Sequence, residues 1–321
     1  MRRLPLPPLR TVLRHALAAF LGMAIIPASA GPLFQTNDVV AFVGGASVIA
    51  TDQAGLLESV LTLAHPGHKL RFRALAWEGD TVFSQPRELN FPSLPQLLRN
   101  AHVSAVCVQF GALEALDRSV TTDSFREGYR RLVNDIAAVC PRVVIVVPPP
   151  FEPKAPPLPD FTAANEALAQ FAQVARRLAE ERRLHVIDLH REFLQPPPGA
   201  AWTHDGRDPT AFGHRQLAAA WARQLGLPAF ADRTATPGFW ERPEIAQLQV
   251  AVKSKNQLWF HAWRPMNWAF LAGDRTEQQA SRDHRDPKIR WFPAEMEQYG
   301  PLVTEADARI ESLAAQIQIA P

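Results

Sequence analysis

The sequence predicts an α/β fold: a three-layer α/β/α sandwich with a five-stranded parallel sheet, followed by a mainly helical, Trp-rich C-terminal extension. Two observations carry this prediction. Short apolar runs alternate five times with longer segments of helical spacing, which is typical of a parallel sheet covered by helices on both faces. Beyond residue 230 the composition changes, and five of the eight tryptophans lie there.

The predicted elements follow one another along the chain without long gaps. The first strand, 38–43, is a short apolar run that ends at two glycines, as a buried parallel strand does. The other strands are predicted at 69–77, 103–110, 143–147 and 185–189. Helices are predicted at 50–63, 123–139, 161–183 and 210–224, and in the extension at 243–261 and 303–317.

Composition and charge argue against several classes of protein. With 47% hydrophobic and 21% charged residues, the chain has ordinary globular composition. The formal charge of +2 comes from the N-terminus, because residues 1–30 hold four arginines and no acid. The remainder has 30 basic and 32 acidic residues, a charge of −2, which gives no reason to expect a nucleic-acid partner.

The first thirty residues have the pattern of an export signal. A basic segment precedes an apolar run at 16–26, and Pro27 then precedes Ala28-Ser29-Ala30, a small-residue cleavage pattern. The apolar run is shorter than the roughly 20 residues that span a bilayer. We therefore expect a signal peptide at 1–30, a periplasmic or extracellular protein without an integral membrane span, an α/β domain at 36–230 and an extension at 231–321 packed on it.

Cysteines and other ligand-forming residues point to no cofactor and no metal. Cys107 falls in a predicted strand and Cys140 just before the next one. Both fit small buried apolar side chains, and an exported protein also permits a disulfide between them. The sequence contains no Cys-x-x-Cys-His and no glycine-rich phosphate loop.

Four loops follow predicted strands, and the carboxyl ends of parallel strands meet at one edge of a sheet. They lie at 44–47, 77–80, 110–114 and 203–208, the last continuing to 214. In order, spacing and surroundings, the loops resemble the motif blocks of the SGNH (GDSL-type) hydrolase superfamily. The resemblance covers roughly residues 38–227 and implies an ester hydrolase fold.

The same resemblance shows where this chain departs from the family pattern. Ala46 stands at the position of the nucleophilic serine, Leu113 at that of the asparagine that donates to the oxyanion, and Asp208 at that of the basic histidine. A carboxylate is a poor base for a serine hydroxyl at neutral pH. Gly79, a backbone oxyanion donor in the family, and Asp205 are in register.

Two interpretations of this cleft remain open. The first, which we favour, is a non-catalytic exported protein that retains the cleft to bind an acylated carbohydrate or another cell-envelope component. The second is a divergent carbohydrate or lipid acyl esterase in which Ser47 is the nucleophile, His204 and Asp205 supply the base, and Gly79 donates to the oxyanion. A serine just after a strand has a simpler role as a helix cap, and Glu114 is expected to be a surface or capping residue.

The extension offers a third interpretation, an interaction module that works through its tryptophans. The run 258–270 and the charged clusters after it resemble the extension of secreted SGNH-like proteins of planctomycete-type bacteria. Tryptophan and arginine side chains suit stacking on sugars. Burial of the tryptophans against the α/β domain is the simpler expectation.

Overall fold

The computed structural model describes residues 32–195 and 199–318, so the signal peptide predicted at 1–30 lies outside the described residues. A single parallel sheet organises the chain, in the strand order β2-β1-β3-β4-β5. Its strands are β1 (Val39–Gly44), β2 (Arg71–Ala74), β3 (Ala105–Gln109), β4 (Val143–Val147) and β5 (His185–Asp188). The five-stranded parallel sheet predicted from the sequence is confirmed. The direction of strand progression reverses between β1 and β3, which is where ligands bind in sheets of this order.

Helices cover both faces of the sheet and form the C-terminal region. Residues 114–116 and 279–281 form short 3-10 helices. The α-helices are α1 (Ala46–Ala54), α2 (Leu56–Ala64), α3 (Leu94–Asn100), α4 (Thr122–Ala137), α5 (Thr162–Arg182), α6 (Leu189–Phe193), α7 (Ala211–Gln224), α8 (Pro228–Thr234), α9 (Pro237–Trp240), α10 (Pro243–Trp263), α11 (Trp268–Leu271), α12 (Trp291–Glu297) and α13 (Tyr299–Gln316).

Alternate residues of each strand point to opposite layers, as the pleat requires. On one face, Val43 and Ile145 belong to the apolar core formed with α4 and α5. On the other face, Val40 and Val146 belong to the core formed with α2 and α7. These buried runs explain why β1, β3 and β4 are almost continuously apolar and why the fold has three layers.

Gly55 divides what the sequence predicts as one helix at 50–63 into α1 and α2. Its φ is +70°, a left-handed conformation that closes α1 and begins α2. A β-carbon at this position would lie 2.8 Å from Cγ of Lys253 on α10, so the break also allows close helix contact.

The helix α10 packs along β2, an edge strand of the sheet. Two of its side chains, one helical turn apart, donate to backbone oxygens of that strand: Lys255 Nζ to Phe72 O (3.0 Å) and Trp259 Nε1 to Ala74 O (2.8 Å). Lys255 also forms a buried ion pair with Glu58 on α2, at 2.8 Å. The C-terminal region is thereby joined to the sheet by polar contacts as well as by apolar packing.

Cys107 and Cys140 are both buried and unbonded, so they serve the core as small apolar groups. In the described ranges, no helix combines the length and the hydropathy that a membrane crossing requires.

Candidate active site

A cavity of about 110 Å³ opens at the carboxyl ends of β1, β3 and β4, beside the reversal of the strand order. The four loops predicted to gather at this edge do meet here. Residues from all of them line it, and those used below are Ala46, Ser47, Glu78, Asp80, Gln109, Leu113, Glu114, Arg207 and Asp208.

The turn after β1 is shaped by close backbone approach. A β-carbon on Gly44 would lie 2.5 Å from the carbonyl oxygen of Gln109, so this position accepts only glycine without a shift of β3. Gly45 is the N-cap of α1, and no side chain caps this helix. Ala46, the first helical residue, is exposed and lines the cavity. The position that corresponds to the family nucleophile is therefore well placed in the cleft but carries only a methyl group.

Ser47 is not a helix cap, because α1 begins one residue before it. Its hydroxyl instead faces β3, where Oγ accepts a hydrogen bond from Nε2 of Gln109 at 3.0 Å. A hydroxyl that accepts this bond still has its own proton to donate. Gln109 was missed by sequence reasoning, although a polar residue at the end of an apolar strand was the available signal.

Glu114 joins the second and third loops beneath the cavity. It is only 2% exposed, which contradicts the expectation of a surface or capping residue. Its two carboxylate oxygens accept from the backbone N–H groups of Val82 (2.7 Å) and Gly111 (2.8 Å). Burial raises the pKa of Glu114, and these two hydrogen bonds oppose the rise. The carboxylate is a structural link, whereas Leu113 next to it is 40% exposed at the position of the family oxyanion donor.

The second loop is held by arginines from two directions. Asp80 is buried and forms a bidentate pair with Arg87, at 2.6 and 2.7 Å. Arg264, which follows α10, lies 3.7 Å above the ring of Trp77 and pairs with Glu78 at 2.8 Å. The C-terminal region thus reaches the rim of the cleft. Gly79, between the two acidic residues, is exposed.

The last loop is fixed by carboxylates that act as acceptors for backbone groups. Glu152 accepts from N and Oγ1 of Thr203 at 2.7 and 2.5 Å. Asp205 Oδ1 accepts from the N–H groups of Arg207 and Asp208, both at 2.8 Å. Partial burial would raise the pKa of Asp205, but these backbone hydrogen bonds outweigh it and leave the pKa lowered. Asp205 therefore shapes the turn that presents Asp208 to the cavity.

His204 lies outside the lining of the cavity and is exposed. Its N–H donates to the carbonyl oxygen of Asp208 at 2.8 Å. Burial lowers the pKa of His214 on α7, and the nearby charge of His204 lowers it further. Among the hydrogen bonds of the described residues, none joins His204 to Ser47. The structure thus brings Ser47 and Asp208 to one cavity and leaves His204 at its outside.

The described residues hold no group of three His, Cys, Asp or Glu side chains arranged for a metal ion. The chemistry available in the cleft is hydrogen bonding by Ser47, Gln109, Arg207 and Asp208 against apolar walls.

The strand order, the three layers and the four converging loops define an SGNH-hydrolase type of α/β protein. The sequence model of the GDSL-like lipase/acylhydrolase family matches residues 48–216, just over half of the chain. The protein therefore belongs to this family. The matched segment begins one residue after Ser47, so the turn that would carry the nucleophile lies outside it.

Solved structures that are similar to this chain include three proteins described as enzymes. A gut microbial diltiazem-metabolizing enzyme has a TM-score of 0.60 at 9% identity, over 90% of this chain and 98% of that one. An alpha/beta hydrolase from the metagenome of Lake Arreo, Spain, has 19% identity over 62% of this chain and 99% of that one (TM-score 0.49). An acetylxylan esterase from Geobacillus stearothermophilus has 18% identity over 60% and 96% of the two chains (TM-score 0.45). No curated protein matches the chain.

Proposed function

We propose that this protein is an exported, non-catalytic member of its family that binds an acyl ester in the cleft without hydrolysing it. The observation that carries the proposal is Ala46. It occupies the first helical position after β1, is exposed and lines the cavity, yet has no group that can attack a carbonyl carbon. Export rests on the pattern of residues 1–30.

Two further positions support the loss of turnover. Leu113 offers no side-chain donor to an oxyanion, and one missing donor typically costs about 10²–10³ in rate. Asp208 stands where the family has its basic histidine. Since nucleophile and base act as a unit, the absence of both leaves only binding and residual electrostatic stabilisation.

The cavity suits the acyl end of such a ligand. Its volume of about 110 Å³ corresponds to roughly three or four water molecules, the size of a short acyl group. Phe110, Leu116 and Phe151 supply apolar walls, while Arg207 and Asp208 stand at the cavity with charged groups. We expect a carbohydrate as the alcohol part of the ester, because the hydroxyls of a sugar pair with such planar charged groups.

A second candidate, a divergent ester hydrolase, is favoured by the position of Ser47. Its Oγ lies in the cleft, is oriented by Gln109 at 3.0 Å, and shares the cavity with Asp208. In that mechanism Oγ attacks the ester carbonyl carbon while Asp208, which shares the cavity, takes its proton; the ester C–O bond breaks, the alcohol leaves with that proton, and water then hydrolyses the acyl-serine.

The two candidates are separated by labelling the full-length protein with a fluorophosphonate probe, beside a Ser47→Ala variant. The non-catalytic proposal predicts no labelling in either protein, while acetylated xylo-oligosaccharide binds and is recovered intact. Labelling of the unaltered chain that disappears in Ser47→Ala would refute the proposal and identify Ser47 as a nucleophile. Thermal unfolding of both proteins serves as the control for folding.

A further inference from the structure

A second, larger cavity lies between α1 and α10, and it shares no lining residue with the cleft. Its volume is about 590 Å³, and it is open to solvent. The helix α1 contributes Ile49 and Asp52 to its wall, and α10 contributes Asn256, Trp259 and Phe260. The cleft is built by the family motifs, whereas this cavity depends on the C-terminal region.

Asn256 brings an unused hydrogen-bond acceptor to this wall. The residue is 3% exposed, and its Nδ2 donates to the backbone oxygen of Asp52 at 2.8 Å, which fixes the amide. Its Oδ1 is buried and has no partner among the described residues. Buried polar atoms in folded proteins are almost always paired, so this oxygen calls for a donor from outside the chain.

Asp52 of α1, the hydrogen-bond partner of Asn256, supplies a second acceptor. Its carboxyl accepts no hydrogen bond from any described residue, and Asp52 lines this cavity as well as a small cavity beside Ser47. Burial raises the pKa of Asp52 to about 7, with Lys255 opposing the rise and Glu58 adding to it. Near neutral pH this carboxyl can therefore both donate and accept a hydrogen bond.

Aromatic rings complete the wall. Trp259, Phe260 and Trp263 all line the cavity. The ring of Trp259 is held in place by its hydrogen bond to Ala74 O, at 2.8 Å, so this surface is formed before any ligand arrives. Aromatic faces beside short polar side chains match a molecule that has apolar C–H faces and hydroxyl edges.

We propose that this cavity is a binding site for a neutral carbohydrate. Sugar hydroxyls pair with the Asp52 carboxyl and, after a small shift of the α10 wall, donate to Asn256 Oδ1, while a C–H face of the ring packs on Trp259 and Phe260. The site is independent of the ester-binding proposal, since it uses none of the residues of the cleft.

The test is calorimetric titration of the full-length protein with four neutral disaccharides: cellobiose, xylobiose, maltose and diacetylchitobiose. We expect at least one of them to bind, and Asp52→Leu and Phe260→Ala to weaken that binding by at least about tenfold. Asp208→Ala, in the cleft, is the matched control and should leave the affinity unchanged.

Two results would overturn the proposal. One is the absence of saturable binding of any of the four sugars at millimolar concentration to protein shown to be folded by its thermal transition. The other is binding that Asp208→Ala removes and that Asp52→Leu and Phe260→Ala both leave intact, because the sugar then occupies the cleft. Failure of the ester-binding proposal leaves this titration unaffected.

Discussion

The buried ion pair between Lys255 and Glu58 provides the sharpest test of how the C-terminal region is attached. The Lys255 side chain is fully buried, and its Nζ donates both to Glu58 Oε2 (2.8 Å) and to the carbonyl oxygen of Phe72 (3.0 Å). The substitution Lys255→Met keeps an unbranched apolar chain in place of the methylene groups of lysine but removes both hydrogen-bond donations. It leaves the buried Glu58 carboxyl without its partner, while the Phe72 carbonyl keeps the hydrogen bond that it accepts from Nη1 of Arg73 at 2.8 Å.

The expected loss in the free energy of unfolding is about 3–5 kcal/mol, the usual cost of removing one partner of a buried pair. Burial raises the pKa of Glu58, and Lys255 opposes this rise through its charge and its hydrogen bond. Without the lysine the pKa of Glu58 rises further above its unfolded value. A raised folded pKa favours the native state at low pH, so the deficit of the variant should grow as the pH increases from 5 to 8.

Urea denaturation followed by tryptophan fluorescence and far-UV circular dichroism, at pH 5 and pH 8, measures both effects. Lys253→Met, two residues earlier on α10 and exposed, is the matched control and should change stability by less than about 0.5 kcal/mol. A loss below about 1 kcal/mol in Lys255→Met, or an equal loss at both pH values, would contradict the argument that the pair is buried and charged. The double variant Lys255→Met with Glu58→Leu should recover part of the loss, because the unpaired carboxyl is gone.

Three further predictions concern stability and are measured by the same urea titration. Gly213→Ala should lower the free energy of unfolding by at least about 2–3 kcal/mol, because its β-carbon would lie 1.9 Å from the Trp202 carbonyl oxygen. The control Gly238→Ala, with no atom within 4 Å of the added β-carbon, should be neutral or stabilising. Equal effects of the two substitutions would contradict the steric argument. Glu114→Ala should cost about 1–3 kcal/mol for each of the two buried N–H groups it leaves unpaired, and an unchanged midpoint would show that water replaces the carboxylate. Burial raises the pKa of Asp52 to about 7 in the native state, so its contribution to stability is present below pH 4 and is lost as the pH rises to 7. Asp52→Asn should therefore make the free energy of unfolding less dependent on pH between 4 and 7, and an unchanged dependence would show that another group causes it.

Much of the α/β domain was predictable because its central strands β1, β3 and β4 are buried on both faces. The segment 143–147 matches β4 residue for residue, since five consecutive β-branched apolar residues leave no other interpretation. The helices predicted at 161–183 and 210–224 differ from α5 and α7 by one residue at most. The predicted helix at 50–63 was wrong in its continuity, because one glycine with a positive φ is invisible to a periodicity argument.

The site was only partly predictable. The meeting of the four loops follows from the parallel sheet, and Ala46, Leu113 and Asp208 are read from their positions in the motifs. The hydrogen bond from Gln109 to Ser47 could not be predicted from the sequence, since it joins residues 62 positions apart through the register of β1 and β3. The cavity beside Asn256 depends on how α10 crosses α1, and no local pattern contains that information.

The two donations from α10 to β2 have a consequence for the biogenesis of the protein. The carbonyl oxygens of Phe72 and Ala74 accept from side chains that lie 183 and 185 residues later in the chain, and Phe72 O accepts in addition from the neighbouring Arg73. During synthesis the outer edge of β2 therefore remains uncovered until α10 has been made. An uncovered strand edge can pair with a strand of another molecule. A chain cut before α10 should therefore aggregate more readily than the full chain.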